Sequence, residues 1–331
     1  MTLVHEEVGL SAQSVCQAWR HMKCSRLVDD RLWLLSRQGK VHFVITAAGH
    51  EAAQVACALA IHVGQDYIVP YYRDMTLCLA LGMSPLDLFL HAMGKTTDPS
   101  SGGRQMYGHF SRADLRIVSG SSSVGSHPVH AVGLALACRI TGETERVAIT
   151  FFGEGATAEG AWHEALNFAG IHQLPVVFVC ESNNYAISVP HEKQVPVPHV
   201  ADKAAGYGLL GAVADGNDLF ASYVAAKQAL ENARQGKPTL LELKTQRLRP
   251  HSNADNDLKY RSEAEIEEGW AKDPILRLER YLVEHGLMSQ DELKAQTDAL
   301  QAQVDAAIEQ ASATPPPPPE MLYQHLYATE G

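Results

Sequence analysis

No run in this 331-residue chain reaches the roughly 18 uncharged apolar residues that a membrane-spanning helix needs, so no membrane association is expected. The opening MTLVHEEVGL carries two glutamates and no basic-then-apolar pattern. No secretory signal is read there, and a cytoplasmic location is expected. Positive charge is scarce: 27 lysines and arginines stand against 38 aspartates and glutamates, a formal net charge of −11. A nucleic-acid footprint is a basic face, so no nucleic-acid partner is expected. Any polyanion must be met locally, by a metal ion or a few placed cations. The six cysteines (Cys16, Cys24, Cys57, Cys78, Cys138, Cys180) form no C-x-x-C pair, which reads as a reduced chain with structural thiols. Repeats of fixed period are also absent. What remains is ordinary globular composition, 46% hydrophobic and 20% charged, long enough for one large or two small domains.

Apolar spacing predicts a helix over 11–38, closed by Gly39, and another over Glu51–Ile61. Ser84-Pro85 supplies an N-cap and a first-turn proline for a helix over Leu86–Met93. From 95 to 127 the chain reads as two long loops, and long loops in compact domains more often bind than fill. VAITFF (147–152) and PVVFVC (175–180) are buried-strand runs flanking a predicted helix Thr157–Ile171. Fifteen helical residues span about 22 Å at ~1.5 Å each, and six strand residues about 20 Å at ~3.3 Å each, so this helix matches its strands. A second unit follows: LLGAVADG, a helix Leu219–Arg234, then PTLLELKT. Alternating strands and helices predict an α/β fold, a parallel sheet with helices on both faces. Helices are expected over Ala264–Trp270, Pro274–Glu284 and Ser289–Ala313, then a polyproline spacer and an apolar tail, Met321–Tyr327, suited to docking.

The most informative residues are Gly153-Glu154-Gly155-Ala156, after one strand, and Glu181 to Ser188 (ESNNYAIS), after the next. Ligands of open parallel sheets bind outside the carboxyl ends of strands, so these segments should face one crevice. Two readings compete. Gly153-x-Gly155-x-x-Ala158 fits a dinucleotide turn, with Glu181 near the position of a ribose-binding acid, and points to an NAD-dependent Rossmann oxidoreductase. Against it stands Glu154, whose carboxylate repels phosphate unless a divalent metal lies between them. A magnesium ion taking Glu154, the Asn183 amide oxygen, a backbone carbonyl and diphosphate oxygens satisfies all of these groups, and is the favoured reading.

Other motifs fail on spacing. Gly94-Lys95-Thr96 lacks the glycine of a phosphate loop, where Phe89 stands. Val124 breaks a nucleophile elbow at Ser122. His50-Glu51 and His163-Glu164 lack the second histidine of a zinc helix, and structural or first-turn roles are expected for them. Asp255-Asn256-Asp257 reads as a solvated acidic turn rather than a calcium loop. Arg247 and Arg249 could serve cofactor, partner or solvent.

GEGATAEGAWHEALNFAGIHQLPVVFVCESNNYAISVP resembles the thiamine diphosphate motif in the alpha subunit of the decarboxylating component of 2-oxo acid dehydrogenases. Tyr71-Tyr72-Arg73-Asp74, Gly103-Arg104-Gln105-Met106, Pro250-His251-Ser252 and Tyr260-Arg261 match further signatures of that family, and the resemblance covers nearly the whole chain. The G-R-Q-M form and the acid-rich loop after His-Ser resemble its branched-chain branch; the pyruvate branch more often carries G-G-S-M. The resemblance implies thiamine diphosphate and magnesium, with Glu154, Asn183 and the Tyr185 carbonyl as metal ligands. It implies Tyr72, Arg73 and His251 at the diphosphate, with the Gly155 and Ala156 amides beside it, and Ser122, Val124 and Ile187 nearer the rings. Arg73 and a protonated or hydrogen-bonding His251 would offset the net negative charge of diphosphate, metal and Glu154. His251 would also assist acyl transfer.

Where relatives have Ser-Ser-Pro and a later Thr-Gln, this chain reads GSSSVGSH over 120–127. Ser121, Ser123, Ser126 and His127 are the candidate ligands there for a monovalent cation such as potassium. Tyr107, Gln246 and Asn253-Ala254 also depart from the family pattern. The implied activity is oxidative decarboxylation of a 2-oxo acid, branched-chain ones leading, pyruvate or acetoin as alternatives, with acyl transfer to a lipoyl-bearing dihydrolipoyl acyltransferase core. The implied partner is a beta subunit in an α2β2 assembly, because no second domain for the pyrimidine half of the cofactor is seen. A catalytically silent binding subunit is disfavoured by Glu154, Asn183 and His251. The expected organisation is a helical extension (1–45), a diphosphate-binding α/β domain (46–262) and a C-terminal helical extension with its tail (263–331).

Overall fold

The computed structural model describes residues 4–324, 326 and 327. In chain order the elements are α1 (Ala12–Arg37), α2 (Glu51–Ala60), β1 (Tyr67–Val69), α3 (Met75–Leu81), α4 (Pro85–Ala92) and α5 (Ser126–Thr141). There follow β2 (Ala148–Gly153), α6 (Gly160–His172), β3 (Val176–Ser182), the small hairpin β4 (Tyr185–Ala186) and β5 (Val189–Pro190), and β6 (Leu210–Asp215). Then come α7 (Leu219–Arg234), β7 (Thr239–Lys244), α8 (Glu263–Ala271), α9 (Pro274–Glu284) and α10 (Gln290–Ala313). Capping follows sequence chemistry: Ser11, Ser84, Asp218, Asp273 and Ser289 each accept a first-turn N–H with their side chains.

Five strands form one parallel sheet in the order β1-β2-β3-β7-β6. Strand residues alternate between two cores. Ile149, Phe151, Val177, Val179, Leu241 and Leu243 meet α1, α2, α3 and α7, whereas Ala148, Phe152, Val176, Phe178, Cys180 and Leu240 meet α5 and α6. Both faces are thus covered, which is why these strands read as unbroken apolar runs. The terminal helices share the first core through Leu32 and Leu35 of α1 and Leu300 and Val304 of α10. Among the described residues no helix is long and apolar enough to cross a membrane.

The structure corrects two expectations. The loop ends at Gly125, a residue in the left-handed region (φ +86°), and Ser126 and His127 open α5. Gly153–Ala158 is a strand end running into a 3₁₀ turn over Glu154–Ala158, and α6 begins only at Gly160. In the tail, Met321 meets Thr96, while Leu322, Tyr323, Leu326 and Tyr327 are exposed. His325 lies outside the described residues.

Candidate active site

β2 and β3 pair in register with Gly153 opposite Glu181, which brings Glu154 and Asn183 to the same depth just beyond the strand ends. The Asn183 N–H donates to Glu154 Oε2 at 3.2 Å. Glu154 is buried, and its Oε1 has no hydrogen-bond partner. Burial pushes this carboxyl above its usual range, opposed by the Glu154 and Asn183 backbone N–H groups and by Arg247 and Arg73. The Asn183 amide is oriented from both ends. Its Oδ1 accepts the Tyr185 N–H, and its Nδ2 donates to His50 Nε2, both at 3.2 Å. Because the Tyr185 N–H can only donate, Oδ1 is the end that meets it, and the Nε2 of His50, fully buried at the start of α2 and held neutral by burial and by Arg73, is the acceptor for Nδ2. The sequence offered His50 only a structural or first-turn role.

Beside this pair lies a cavity of about 420 Å³ lined by Tyr72, Arg73, Ser122, Val124, Gly155, Ala156, Asn183, Tyr185, Ile187 and His251. Ten of the sequence-derived cofactor residues thus line one space, with Glu154 buried next to Asn183. Gly155 is required there: a Cβ would stand 2.6 Å from the Ala186 Cβ of the small hairpin. Ile187, a β-branched residue at φ +55°, is held in a strained backbone conformation of the kind that gathers at functional sites. Its carbonyl accepts from Arg247 at 2.9 Å.

Arg73 is buried, donates to the Thr46 carbonyl and His251 Nδ1, and keeps an unpartnered Nε. Because Arg73 can only donate, His251 Nδ1 is the acceptor and the neutral ring carries its proton on Nε2. Burial, Arg73 and Arg247 push His251 down to about 3. Of the two expected states of His251, protonated or hydrogen-bonding, this geometry favours the neutral hydrogen-bonding one, and a second guanidinium, that of Arg247, lies close by. That side chain is buried, with Nε and one terminal nitrogen unpartnered, and burial and Arg73 lower its pKa. Its remaining terminal nitrogen also meets the Tyr260 hydroxyl, which donates to Asp255, and Asp255 in turn accepts the His251 backbone N–H at 2.8 Å. Asp255 is therefore an engaged anchor of the His251 loop, not a solvated turn. Arg249 instead joins Asp29 and Asp30 on α1. Asn253 also ties down this loop, through Val44, Ser36 and His42.

His109 is a lining residue that sequence reasoning missed. Its Nδ1 lies 2.7 Å from the Met106 carbonyl and must donate, so its Nε2 accepts from the Ser122 hydroxyl, also at 2.7 Å. Glu181 does not face the cavity. It is fully buried, bonded to Gln54 and Tyr71 and pushed up to about 7 by burial, so the ribose-binding acid of the dinucleotide reading is missing.

The unpartnered Glu154 oxygen, the oriented Asn183 oxygen and the unpartnered arginine N–H groups fit a divalent metal with a diphosphate. The oxygen-only chemistry suits magnesium, and among the described residues there is no cluster of three or more His, Cys, Asp and Glu. The candidate monovalent-cation ligands do not fit in the same way. Ser121 Oγ accepts the Ser123 N–H, Ser126 donates to the Ser123 carbonyl, and His127 Nε2 accepts the Ser121 N–H. The His127 side chain offers no oxygen, and its Nε2 lone pair is used within the loop, so His127 could contribute only its backbone carbonyl.

Residues 19–320 match the family model described as the dehydrogenase E1 component, and the chain belongs to that thiamine diphosphate-dependent family. Over 98% of both chains it is 45% identical to the 2-oxoisovalerate dehydrogenase subunit alpha of Bacillus subtilis. It is 34% identical to the mitochondrial 2-oxoisovalerate dehydrogenase subunit alpha of Homo sapiens, over 97% of this chain and 72% of the human one. Identity to the pyruvate dehydrogenase E1 component subunit alpha of Bacillus subtilis is 35%, over 92% of this chain and 80% of that protein.

Proposed function

We propose that this chain is the alpha subunit of a decarboxylating 2-oxo acid dehydrogenase component acting on branched-chain 2-oxo acids, 3-methyl-2-oxobutanoate first among them. The observation that carries it is the buried Glu154–Asn183 pair beside the cavity, in a chain more similar to a 2-oxoisovalerate dehydrogenase alpha subunit than to the pyruvate relative above. Thiamine diphosphate, when bound, supplies the carbanion chemistry of decarboxylation. Glu154, the Asn183 side chain and the Tyr185 carbonyl would hold magnesium. Arg73, Tyr72, Arg247 and the Gly155 and Ala156 amides would orient the diphosphate. Ser122, Val124 and Ile187 would lie toward the rings, and His251 would present its Nε2 proton during acyl transfer to a lipoyl-bearing acyltransferase.

The partner would be a beta subunit completing an α2β2 assembly. Val124 and Ile187 are exposed at the cavity, and Val129 and Ile140 of α5 with Phe168 and Ile171 of α6 add exposed apolar surface suited to a partner. Co-purification with the beta subunit, followed by turnover of 3-methyl-2-oxobutanoate and pyruvate, tests both parts. Preference for the branched acid is expected. Faster turnover of pyruvate would overturn the substrate, and full decarboxylation by the alpha chain alone would overturn the partner.

A further inference from the structure

Lys203 lies outside every motif considered so far. It sits on the 3₁₀ segment Val200–Tyr207, half-buried, and has no carboxylate within ion-pair distance among the described residues. Its Nζ lies 2.8 Å from Thr157 Oγ1 and 3.4 Å from the Thr157 carbonyl. The Trp162 ring flanks the ammonium at 5.4 Å. Thr157 is buried, and its hydroxyl reaches the Glu154 carbonyl at 2.8 Å. An ammonium can only donate, so Thr157 Oγ1 accepts from Lys203 and turns its own proton to Glu154. The polarity of the chain is fixed from end to end.

We propose that Lys203 is a positioning residue for the magnesium site, acting through Thr157 on the turn that carries Glu154. The inference rests on the magnesium–diphosphate reading above. Glu154–Ala158 is a single short turn, and its N-cap Gly153 has no capping side chain. Lys203 and Thr157 supply the missing tether from behind, on a segment that also packs on β6 and β7 through Ala204 and Ala201. Burial lowers the Lys203 pKa, a cost retained for a contact that makes no ion pair. Groups that orient metal ligands typically alter metal affinity about 10–100-fold when removed.

The test titrates magnesium chloride, by calorimetry at saturating thiamine diphosphate, into the assembled complex carrying Lys203→Met, Lys203→Arg or Thr157→Val. Lys203→Met and Thr157→Val should each weaken magnesium about tenfold, combine without further loss, and leave the metal-free melting temperature nearly unchanged. Lys203→Arg should recover most of the affinity. If Lys203→Met does not fold, Thr157→Val reads the same tether. Wild-type magnesium affinity in the variants overturns this inference alone. A wild-type complex that binds no magnesium with thiamine diphosphate overturns the cofactor reading and this inference together.

Discussion

The Asn183 N–H meets Glu154 Oε2 at 3.2 Å and leaves Glu154 Oε1 buried without a partner, so two turns 29 residues apart share one half-satisfied carboxylate. Such an arrangement is costly unless something else approaches the free oxygen. Glu154→Gln removes the buried charge and keeps the shape. In metal-free buffer its melting temperature is expected to equal or exceed that of the parent. Added magnesium and thiamine diphosphate should raise the melting temperature of the parent by several degrees and leave the variant unmoved, as differential scanning fluorimetry would show.

Arg247 and Arg73 each lower the pKa of His251, and Arg73 lowers that of Arg247. Without an anion the two guanidinium groups oppose one another. Arg247→Met is therefore expected to change metal-free stability little while weakening thiamine diphosphate about 10–100-fold, roughly 1.4–2.7 kcal/mol. The His251 pKa should rise in the same variant. Equilibrium dialysis and histidine NMR titration check the two halves separately.

His251 carries its proton on Nε2 because Arg73 occupies Nδ1. His251→Ala should slow acyl transfer to a lipoyl acceptor by about 10²-fold or more, within the range of general acid–base groups. Decarboxylation assayed with an artificial electron acceptor should fall much less. Normal lipoyl transfer by the variant would exclude this role.

His127 is buried, and burial with His130 and His109 nearby lowers its pKa to about 4. An unfolded histidine binds its proton near 6.5, so between about pH 6.5 and 4 the unfolded chain holds more protons than the folded one. The stability tied to a neutral His127 is thus present above pH 6.5 and is lost as pH falls toward 4, at most about 3 kcal/mol. His127→Gln should flatten that part of the stability–pH curve relative to the parent, measured by urea unfolding at pH 7.5, 6 and 5.

Gly49 occupies the left-handed region at φ +96°, where a Cβ would sit 1.7 Å from the Gln246 carbonyl oxygen. Gly49→Ala should cost about 3 kcal/mol or more through strain and overlap together. The displaced backbone adjoins both His50 and Arg247, so cofactor affinity should fall with stability. Chemical denaturation and a binding titration on one preparation would show both effects.

Much of the architecture and the centre of the site are local in origin. The boundaries of α7 and α9 follow from apolar spacing and from Asp218 and Asp273-Pro274 at their starts. Gly153-Glu154-Gly155-Ala156 and Asn183 announce their chemistry because an acid inside a phosphate-type turn makes sense only with a metal. Other elements carried no such signal. β1 has three residues, α3 is apolar but for Thr76 and lacks a capping side chain, and α5 is rich in small residues and starts at the left-handed Gly125. Periodicity has nothing to register in them.

The order of polar residues along the chain determined which groups could serve as metal ligand, diphosphate cation and ring contact. Only tertiary structure decided their states. His50 meets the Asn183 amide across 133 residues, Arg73 holds the tautomer of His251 across 178, and Lys203 reaches Thr157 across 46. Burial, with Arg73 and Arg247 nearby, keeps His251 neutral. Protonation and orientation depend on desolvation and on neighbours in space, and a linear pattern of residues encodes neither until the sheet brings β2, β3 and β7 side by side.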